Sequence, residues 1–445
     1  GFAEQPPAVD EAQQAQMPQP QAVGARCRVL WRGGDLTHTN SVSDIHNFII
    51  ERYIGLLTIG PMTAQPAALT AEAPLRIRSV EPFALEAALP RAVATPMMAI
   101  GSTVSLLVAL RDDDGVEGWG EIWCNFPRFG IRHRARMLTE VFAPLLTRRA
   151  FASPAEAWSW LTASSNVLRL QSGEPGPVAA VISGIDIALH DLAAKRAGLP
   201  LWRLLGGRSG TVRAYASLGR AVEAGPAVER GLAQGFRAFK LHSAGAVADH
   251  IREIRPIRRR LGEACELMLD VNSSWDIESA IASVPQLAED RLAWLEEPIP
   301  VDAPAEAWRR LAAAAPMPLA GGENMLTVGA LDAALADGVL QVFQPDIAKW
   351  GGFSGCLPFA RRAVVRGRRF CPHMFSGAPG QLASAHLLAA SNSPDGLLEY
   401  GVGATLLRDA LLDLTVRDGQ VELGEAPGLG LQIDRAVLEK YRLKI

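Results

Sequence analysis

Cysteine and lysine are both scarce in this chain of 445 residues. The five cysteines are odd in number and scattered, and no two form a C-x-x-C pair, which argues against a disulfide framework and against a zinc ribbon. Lysine supplies five of the 44 basic residues, and the others are all arginine. Each lysine is therefore a candidate for a specific role and not for routine surface charge.

Long apolar runs and a strong net charge are also missing. The nearest candidate for a membrane span, residues 48–60, is interrupted by Glu51 and Arg52. A net charge of −3 gives no reason to expect nucleic acid or acidic lipid as a partner. No basic segment leads into an apolar one near the beginning, so no secretory signal is predicted. We expect a cytoplasmic protein with no membrane partner and no nucleic-acid partner.

The remaining composition predicts two domains behind an atypical first segment. Residues 1–73 are rich in Gln, Pro and Ala without a sustained period, which indicates a disordered or non-native extension, and Met62 would serve as a natural start. Strand and helix patterns over residues 76–200 predict a small α+β unit. Beyond residue 200, eight short apolar strands alternate with amphipathic helices, which predicts a closed parallel barrel and an α/β fold class.

Polar residues recur at the ends of the predicted barrel strands. The series begins with Lys240 and His242 and continues at the end of each later strand, with Asp270, Glu296, Glu323, Asp346, His373 and Glu399. Successive members from His242 onward are 28, 26, 27, 23, 27 and 26 residues apart, about one strand and one helix each time. Because the carboxyl ends of parallel barrel strands meet at one mouth, we expect these side chains to share a pocket.

Three consecutive members of this series are acids, namely Asp270, Glu296 and Glu323. Carboxylates aimed at one point repel each other and need a cation between them. Oxygen ligands without cysteine or an adjacent histidine pair suit Mg²⁺ better than Zn²⁺. The next two members, Asp346 and His373, are predicted to form a pair in which the carboxylate orients the imidazole and makes it a general base.

The motifs around these positions resemble one known family. The segments LMLDVN, WLEEP, GGEN, PDIAKWGG, PHMF and SAHLLAASNSPDGLLEY are similar, in this order, to strand ends of the mandelate racemase branch of the enolase superfamily. The resemblance extends from about Arg76 to the C-terminus and is carried by the set of motifs together. It implies a (β/α)7β TIM-like barrel over residues 201–404 and a capping domain over 76–200, to which a segment at 405–445 returns.

The resemblance also implies roles for single residues. Asp270, Glu296 and Glu323 match the family's metal ligands, with Glu296 preferred to Glu297 because the ligand is the first acid of the E-E-P pattern. Asp346 and His373 match the catalytic dyad. Glu399 matches the residue that, when protonated, donates a hydrogen bond to the substrate carboxylate, and Lys240 would stabilise the same negative charge. A small carboxylic acid as substrate and a homo-oligomer are implied as well.

One position departs from the family pattern. The second strand usually ends K-x-K, whereas here Lys240 is followed by Leu241 and His242. His242 is either a second base opposite His373, as racemisation or epimerisation requires, or an acid, a substrate contact or a packing residue. A single base suffices to remove the α-proton of a 2-hydroxy acid and to eliminate its β-hydroxyl. We therefore favour dehydration of a sugar acid or another 2-hydroxy acid to a 2-keto acid.

Two further residues are candidates for substrate binding. Asn272 lies two residues beyond Asp270 and would either contact a substrate hydroxyl or cap the following helix. Lys349 is a secondary candidate, because a lysine near this position is catalytic in the related muconate-cycloisomerising branch. Loops near 90–100 and 121–130 are expected to lie over the barrel mouth.

Two other classes of protein compete with this interpretation. A zinc-dependent barrel hydrolase would need a histidine-rich metal centre, and the strands carry no H-x-H motif. A degenerate, non-catalytic acid-binding member of the family would explain the altered second lysine, although the other predicted site residues are all present.

Overall fold

The computed structural model describes residues 74–94, 99–220, 224–242, 247–375, 377–402, 405–412 and 414–444. The extension expected over residues 1–73 lies outside the described residues, and so do the side chains of the loop expected at 90–100.

The N-terminal part is an antiparallel sheet covered by helices. Its strands β1 (Ile77–Ala94), β2 (Ala99–Asp112) and β3 (Glu117–Ile122) are neighbours in that order. Polar residues 112–115 form the β2–β3 turn, which the Asp112 side chain stabilises by accepting the Val116 amide at 2.8 Å. The helices are α1 (Gly130–Met137), α2 (Ala143–Thr147), α3 (Pro154–Ser164), α4 (Asn166–Ser172), α5 (Pro175–Arg196) and α6 (Leu201–Leu204), with a π-helical turn Leu138–Phe142 between the first two.

Helix α5 is the central helix of this part, and it is buried on nearly every side. A β-carbon on Gly120 would collide with the carbonyl of Gly184, so the glycines allow β3 to lie directly against the helix. By length and composition α5 could cross a membrane, and 83% of its most apolar window is buried inside the protein. That burial is the packing of a core helix.

The second part alternates parallel strands and helices from residue 211. The strands are β4 (Thr211–Arg220), β5 (Ala238–His242), β6 (Glu266–Asp270), β7 (Trp294–Glu296), β8 (Leu319–Gly321), β9 (Val342–Phe343), β10 (Arg369–Phe370) and β11 (Leu398–Gly401). The helices between them are α7 (Gly225–Ala233), α8 (Val247–Leu261), α9 (Ile277–Ser283), α10 (Ala305–Ala314), α11 (Val328–Asp337), α12 (Gly352–Val365) and α13 (Ala378–Ser391). A 3-10 turn, Val284–Asp290, follows α9.

These eight strands enclose a common interior. The parallel ladder passes from β10 strand by strand to β4, and β11 pairs with β4 in parallel. One buried cluster takes one residue from each strand or its immediate end, namely Tyr215, Ala238, Met268, Trp294, Ala320, Val342, Cys371 and Leu397. No pairing between β10 and β11 closes the described ladder, but the shared interior cluster brings these two strands together with the other six, which confirms the predicted (β/α)7β barrel with an α+β domain beside it.

The C-terminal residues contact both parts. Strands β12 (Val416–Arg417) and β13 (Gln420–Glu422) form a hairpin that pairs with β4. After α14 (Leu406–Leu411) and this hairpin, α15 (Arg435–Lys440) leads to residues that bond β1: the Leu443 amide donates to the Ala84 carbonyl at 2.8 Å. The exact boundaries predicted at residues 200 and 404 stay a prediction.

Candidate active site

The barrel interior determines where the polar side chains point. Alternate residues of a strand face the same side, so a residue two positions after an interior residue also faces the axis. Lys240 follows Ala238 in this way, and Asp270 follows Met268. The same spacing places Glu296, His373 and Glu399, whereas Asp346 lies four positions after interior Val342, beyond the end of β9. All six of these side chains lie at the C-terminal mouth, as the strand spacing predicts.

Lys240 is the hub of the cluster and is fully buried. Its Nζ donates to Oε1 of Glu296 at 2.8 Å, lies 2.9 Å from Oε1 of Glu399 and 3.8 Å from Oδ2 of Asp270. Burial alone would lower the pKa of Lys240, but the carboxylates of Glu296 and Glu399 raise it well above its usual range. Lys240 is therefore a permanent positive charge shared by three acids.

Glu296 has both carboxylate oxygens engaged. Besides Lys240, it accepts from Nε2 of Gln344 at 2.6 Å and from Nε1 of Trp294 at 3.1 Å. Burial, with the charge of the nearby Asp270, raises the pKa of Glu296 to about 7 against the lowering effect of Lys240. This carboxyl therefore binds a proton readily when no further cation is close.

Glu297 belongs to the same cluster, although the E-E-P pattern favours Glu296 as the metal ligand. Its backbone has φ of 39°, in the left-handed region, which turns the side chain inward beside that of Glu296. Its Oε1 is buried without a hydrogen-bond partner, and Oε2 accepts from Nδ2 of Asn324 at 2.8 Å. Burial, with the charges of Glu323 and Asp270, raises the pKa of Glu297 to about 8.

The carboxylates have the chemistry of ligands for a divalent cation, but their oxygens are not gathered around one point. Within the described ranges, no three His, Cys, Asp or Glu side chains are gathered as closely as metal ligands. Their oxygens turn to the basic side chains instead, to Lys240 from one side and to His373 from the other. An unpartnered buried carboxylate oxygen and two raised carboxyl pKa values indicate excess negative charge, and such oxygens are the ligands Mg²⁺ prefers. The residues fit this ion.

His373 lies between two carboxylates. Its Nδ1 is 2.8 Å from Oδ2 of Asp346, and its Nε2 is 2.6 Å from Oε2 of Glu323. The other oxygen of Asp346 accepts the backbone amide of Ala348 at 2.8 Å, which fixes the carboxylate. Burial would lower the pKa of His373, whereas Glu323 and the Asp346 hydrogen bond raise it well above its usual range. His373 in turn lowers the pKa of Glu323 well below its usual range, although burial opposes this.

The surroundings of Glu399 act on its pKa in opposite directions. The protonated form that the family resemblance implies would need a pKa above the usual range. Burial does act in that direction, but Lys240 and His373 outweigh it and lower the pKa of Glu399 to about 2. The carboxylate accepts from Oγ of Ser217 at 2.7 Å and from the Met374 amide at 3.0 Å, which also favours the ionised form.

His242 faces the same mouth at the end of β5. Its Nδ1 is 2.6 Å from the carbonyl oxygen of Leu218, which can only accept, so Nδ1 carries the proton. Its Nε2 is 3.3 Å from Oδ2 of Asp270, and this carboxylate raises the pKa of His242 against the effect of burial. The structure thus directs Nε2 towards a predicted metal ligand.

The two substrate-binding candidates lie at the rim. The Asn272 amide donates to Oδ2 of Asp270 at 3.1 Å, and α9 is capped by Asp276, so the helix-cap interpretation of Asn272 is wrong. Lys349 donates to Oδ1 of Asn324 at 2.8 Å, and its Nζ lies 4.8 Å from the ring centroid of Trp123.

The loop that follows β3 reaches the barrel mouth. Besides the contact of Trp123 with Lys349, the ring of Phe126 stacks on Phe375 with centroids 6.2 Å apart. Asn125 donates from Nδ2 to the carbonyl of Phe375, in the segment that carries His373. Residues 121–130 therefore contact the barrel mouth directly, as expected of a loop that covers it.

Sequence reasoning missed several side chains that hold the cluster, including Ser217, Gln344 and Asn324. Gln344 had a readable signal, because it lies two residues after interior Val342 and two before Asp346. Asn324 had none, since its contacts with Glu297 and Lys349 depend on the fold of the loop after β8.

A parallel barrel with a buried lysine, a carboxylate cluster and a His–Asp pair at its mouth defines a class of metal-assisted proton-abstracting enzymes. Comparison with known proteins makes this specific. Residues 80–206 match the mandelate racemase / muconate lactonizing enzyme N-terminal domain, and residues 223–437 match the enolase C-terminal domain-like profile. The chain belongs to the mandelate racemase / muconate lactonizing enzyme family of the enolase superfamily.

Among curated relatives, D-galactarolactone cycloisomerase of Agrobacterium fabrum is 30% identical, over 83% of this chain and 99% of that protein. Arabinonate dehydratase of Saccharolobus solfataricus is 27% identical, over 75% of this chain and 90% of that protein. Among solved structures, a mandelate racemase/muconate lactonizing enzyme from Bordetella bronchiseptica RB50 is 46% identical with a TM-score of 0.77, covering 83% of this chain and all of that one. A Streptomyces coelicolor racemase with bound magnesium is 26% identical with a TM-score of 0.73, covering 82% and 100%.

Proposed function

We propose that this chain is a Mg²⁺-dependent dehydratase that converts a sugar acid into a 2-keto-3-deoxy acid. The observation that carries the proposal is the His373–Asp346 pair at the same mouth as Lys240 and the carboxylate cluster. The relatives support the substrate class, because the alignments with an arabinonate dehydratase and a D-galactonate dehydratase cover 75% and 76% of this chain. We assign the metal to Asp270, Glu296 and Glu323, where a bound Mg²⁺ would stabilise negative charge on the substrate carboxylate.

His373 is assigned as the base. Asp346 holds its Nδ1–H, so Nε2 is the atom assigned to accept the α-proton, and a Mg²⁺ held by Glu323 would leave this nitrogen free for the substrate. Removal of this proton places charge on the substrate carboxylate, and Lys240 is positioned to donate a hydrogen bond to it. Because Glu399 is ionised, we assign it to holding Lys240 and not to donating to the substrate.

The second half of the reaction requires a proton for the leaving β-hydroxyl. The imidazolium of His373 returns the proton it has taken, the C–O bond breaks, and one water molecule leaves. The resulting enol gains a proton at its β-carbon as its hydroxyl loses one, which gives the 2-keto acid. A single base and acid therefore completes the dehydration.

Cycloisomerisation is a second candidate, because this chain aligns with 99% of the length of D-galactarolactone cycloisomerase. If the leaving oxygen belongs to a ring of the substrate, the same α-proton removal opens the ring, and the product is an isomer. Racemisation fits less well, because the curated relatives named above and the D-galactonate dehydratases catalyse dehydration or cycloisomerisation. Cytoplasmic location and a homo-oligomer remain proposals from the sequence.

The test is a panel of sugar acids and their lactones in D₂O, followed by proton NMR and mass spectrometry with Mg²⁺ or EDTA. A dehydratase gives a Mg²⁺-dependent keto acid that has lost one water, whereas a cycloisomerase gives a product of unchanged formula. Deuterium exchange or inversion without either product would replace dehydration with racemisation. Loss of turnover in H373N but not in H133N, a half-exposed histidine paired with Glu174, is expected. Full activity of H373N would refute the mechanism.

A further inference from the structure

Glu121 is a buried acid at the end of β3 that no part of the proposed mechanism uses. Its Oε1 accepts the Gly377 amide at 2.6 Å and the Ser105 hydroxyl at 2.6 Å, and its Oε2 accepts the Gly380 amide at 2.9 Å. Gly377 and Gly380 form the start of α13 in the barrel, and α13 has no side-chain cap of its own. Glu121 thus caps this helix from the N-terminal domain.

Asp186 of α5 does the same for the preceding barrel helix. Its Oδ2 accepts the Ser354 amide at 3.0 Å, and its Oδ1 accepts the Ser354 hydroxyl at 2.5 Å. Ser354 lies in the first turn of α12, which also has no side-chain cap from its own N-cap residue. Gly352 has φ of 52°, and a β-carbon there would collide with Asp186, so the helix start approaches the acid as closely as the backbone allows.

The two capped helices are those that follow the dyad. Asp346 lies between β9 and α12, and His373 lies between β10 and α13. The 2.8 Å contact between Asp346 and His373 therefore depends on two loops whose far ends are both fixed by acids of the N-terminal domain. The loop after β10 also supplies the Met374 amide to Glu399.

We infer that Glu121 and Asp186 are positioning residues that set the distance between Asp346 and His373. Their carboxyl groups touch neither the dyad nor the expected position of substrate, so they act through the loops that they anchor. A displacement of about 1 Å in a catalytic contact can cost about 100-fold in rate. The N-terminal domain thus contributes to the chemical step and not only to covering the mouth.

A matched control is available in α5. Asp191 is fully buried and accepts the amides of Trp119 at 2.8 Å and of Leu429 at 2.7 Å. It joins the N-terminal sheet to the C-terminal segment and contacts neither dyad loop. D191N therefore removes a buried interdomain carboxylate without altering the loops after β9 and β10.

The activity test compares E121Q, D186N and D191N, and it rests on the proposed function. We expect kcat to fall at least about tenfold in E121Q and in D186N. KM and Mg²⁺ affinity should change less than about threefold, because no ligand contact is removed. D191N should lose thermal stability but keep kcat within about twofold. An unchanged kcat in folded E121Q, or an equal loss in D191N, would overturn the inference.

A second measurement needs no substrate and so separates the two proposals. Amide hydrogen exchange of peptides covering 371–380 and 346–356 should accelerate in E121Q and D186N respectively, and in D191N neither peptide should change. If the wild-type protein turns over no acid, the proposed function is refuted, and hydrogen exchange still tests whether Glu121 and Asp186 anchor the two loops. Unchanged protection of 371–380 in E121Q would overturn the anchoring itself.

Discussion

Replacing Lys240 with Met tests whether the candidate site is a collection of buried charges held by one lysine. The ammonium is fully buried and lies 2.8 Å from Glu296 and 2.9 Å from Glu399. Methionine fills a similar volume but leaves two buried carboxylates without that partner. Breaking a buried ion pair from one side costs about 3–5 kcal/mol of the free energy of unfolding.

The expected pH dependence gives the prediction a sign. In K240M the pKa of Glu296, already about 7, rises further, above its value in the unfolded chain. A carboxyl group with a raised folded pKa destabilises the protein above that pKa and ceases to do so below the unfolded value near 4.5. The deficit of K240M should therefore be largest at pH 8 and shrink as the pH falls towards 5.

The assay is guanidinium unfolding of wild type, K240M and K195M in EDTA at several pH values. Lys195 is a suitable control because it also bonds a buried acid, Asp191, at 2.8 Å, while that acid retains two backbone amide donors. K195M should lose less than about 2 kcal/mol. The reasoning is refuted if K240M loses less than about 1 kcal/mol at pH 8, or if its deficit grows in acid.

Two further predictions concern other buried groups. Burial lowers the pKa of His386 from 6.5 to about 4. Between these pH values the unfolded chain binds more protons than the folded protein, so the free energy of unfolding decreases as the pH decreases. Between pH 7.5 and pH 5, wild type should lose about 2 kcal/mol more unfolding free energy than H386Q, and an equal loss would refute the shift. For metal binding, E296Q should weaken Mg²⁺ affinity more than the roughly tenfold expected for E297Q, and calorimetry showing the reverse order would exchange their roles.

The architecture was predictable because a barrel imposes its period on the sequence. Steps of 23–28 residues between polar strand ends reflect one strand and one helix per unit. The alternation within each strand then determines which side chains face the axis, and this brought Lys240, Asp270 and His373 together correctly. Their roles as base and metal ligands remain predictions.

The features missed from the sequence have physical causes of three kinds. The inward direction of the Glu297 side chain depends on a left-handed backbone conformation, which cannot be predicted from the residue type. The low pKa of Glu399 depends on Lys240 at 2.9 Å and on His373, which outweigh burial and which reach it from other strands. Glu121 and Asp186 escaped notice because their partners are 256 and 168 residues away in the sequence.

The charges at the barrel mouth lead to a final prediction about metal binding. The cluster contains six carboxyl groups, those of Asp270, Glu296, Glu297, Glu323, Asp346 and Glu399. The described basic side chains that contact them are four, those of Lys240, His242, Lys349 and His373. When both imidazoles are protonated, as their raised pKa values favour in the absence of metal, two carboxylates exceed the available cations, and this excess equals the charge of one Mg²⁺.

The two raised pKa values, about 7 at Glu296 and about 8 at Glu297, identify where the excess is neutralised by protons in the absence of metal. A divalent cation stabilises the ionised carboxylates, so its binding must release those protons. Calorimetric titration with Mg²⁺ at pH 6.5, in buffers of different ionisation enthalpy, should detect a release approaching two protons per site. The release should fall towards zero by pH 9 and should be about one lower in E297Q at pH 6.5. Binding without proton release at pH 6.5 would show that these carboxyl groups are already ionised, and the charge argument for the site would fail.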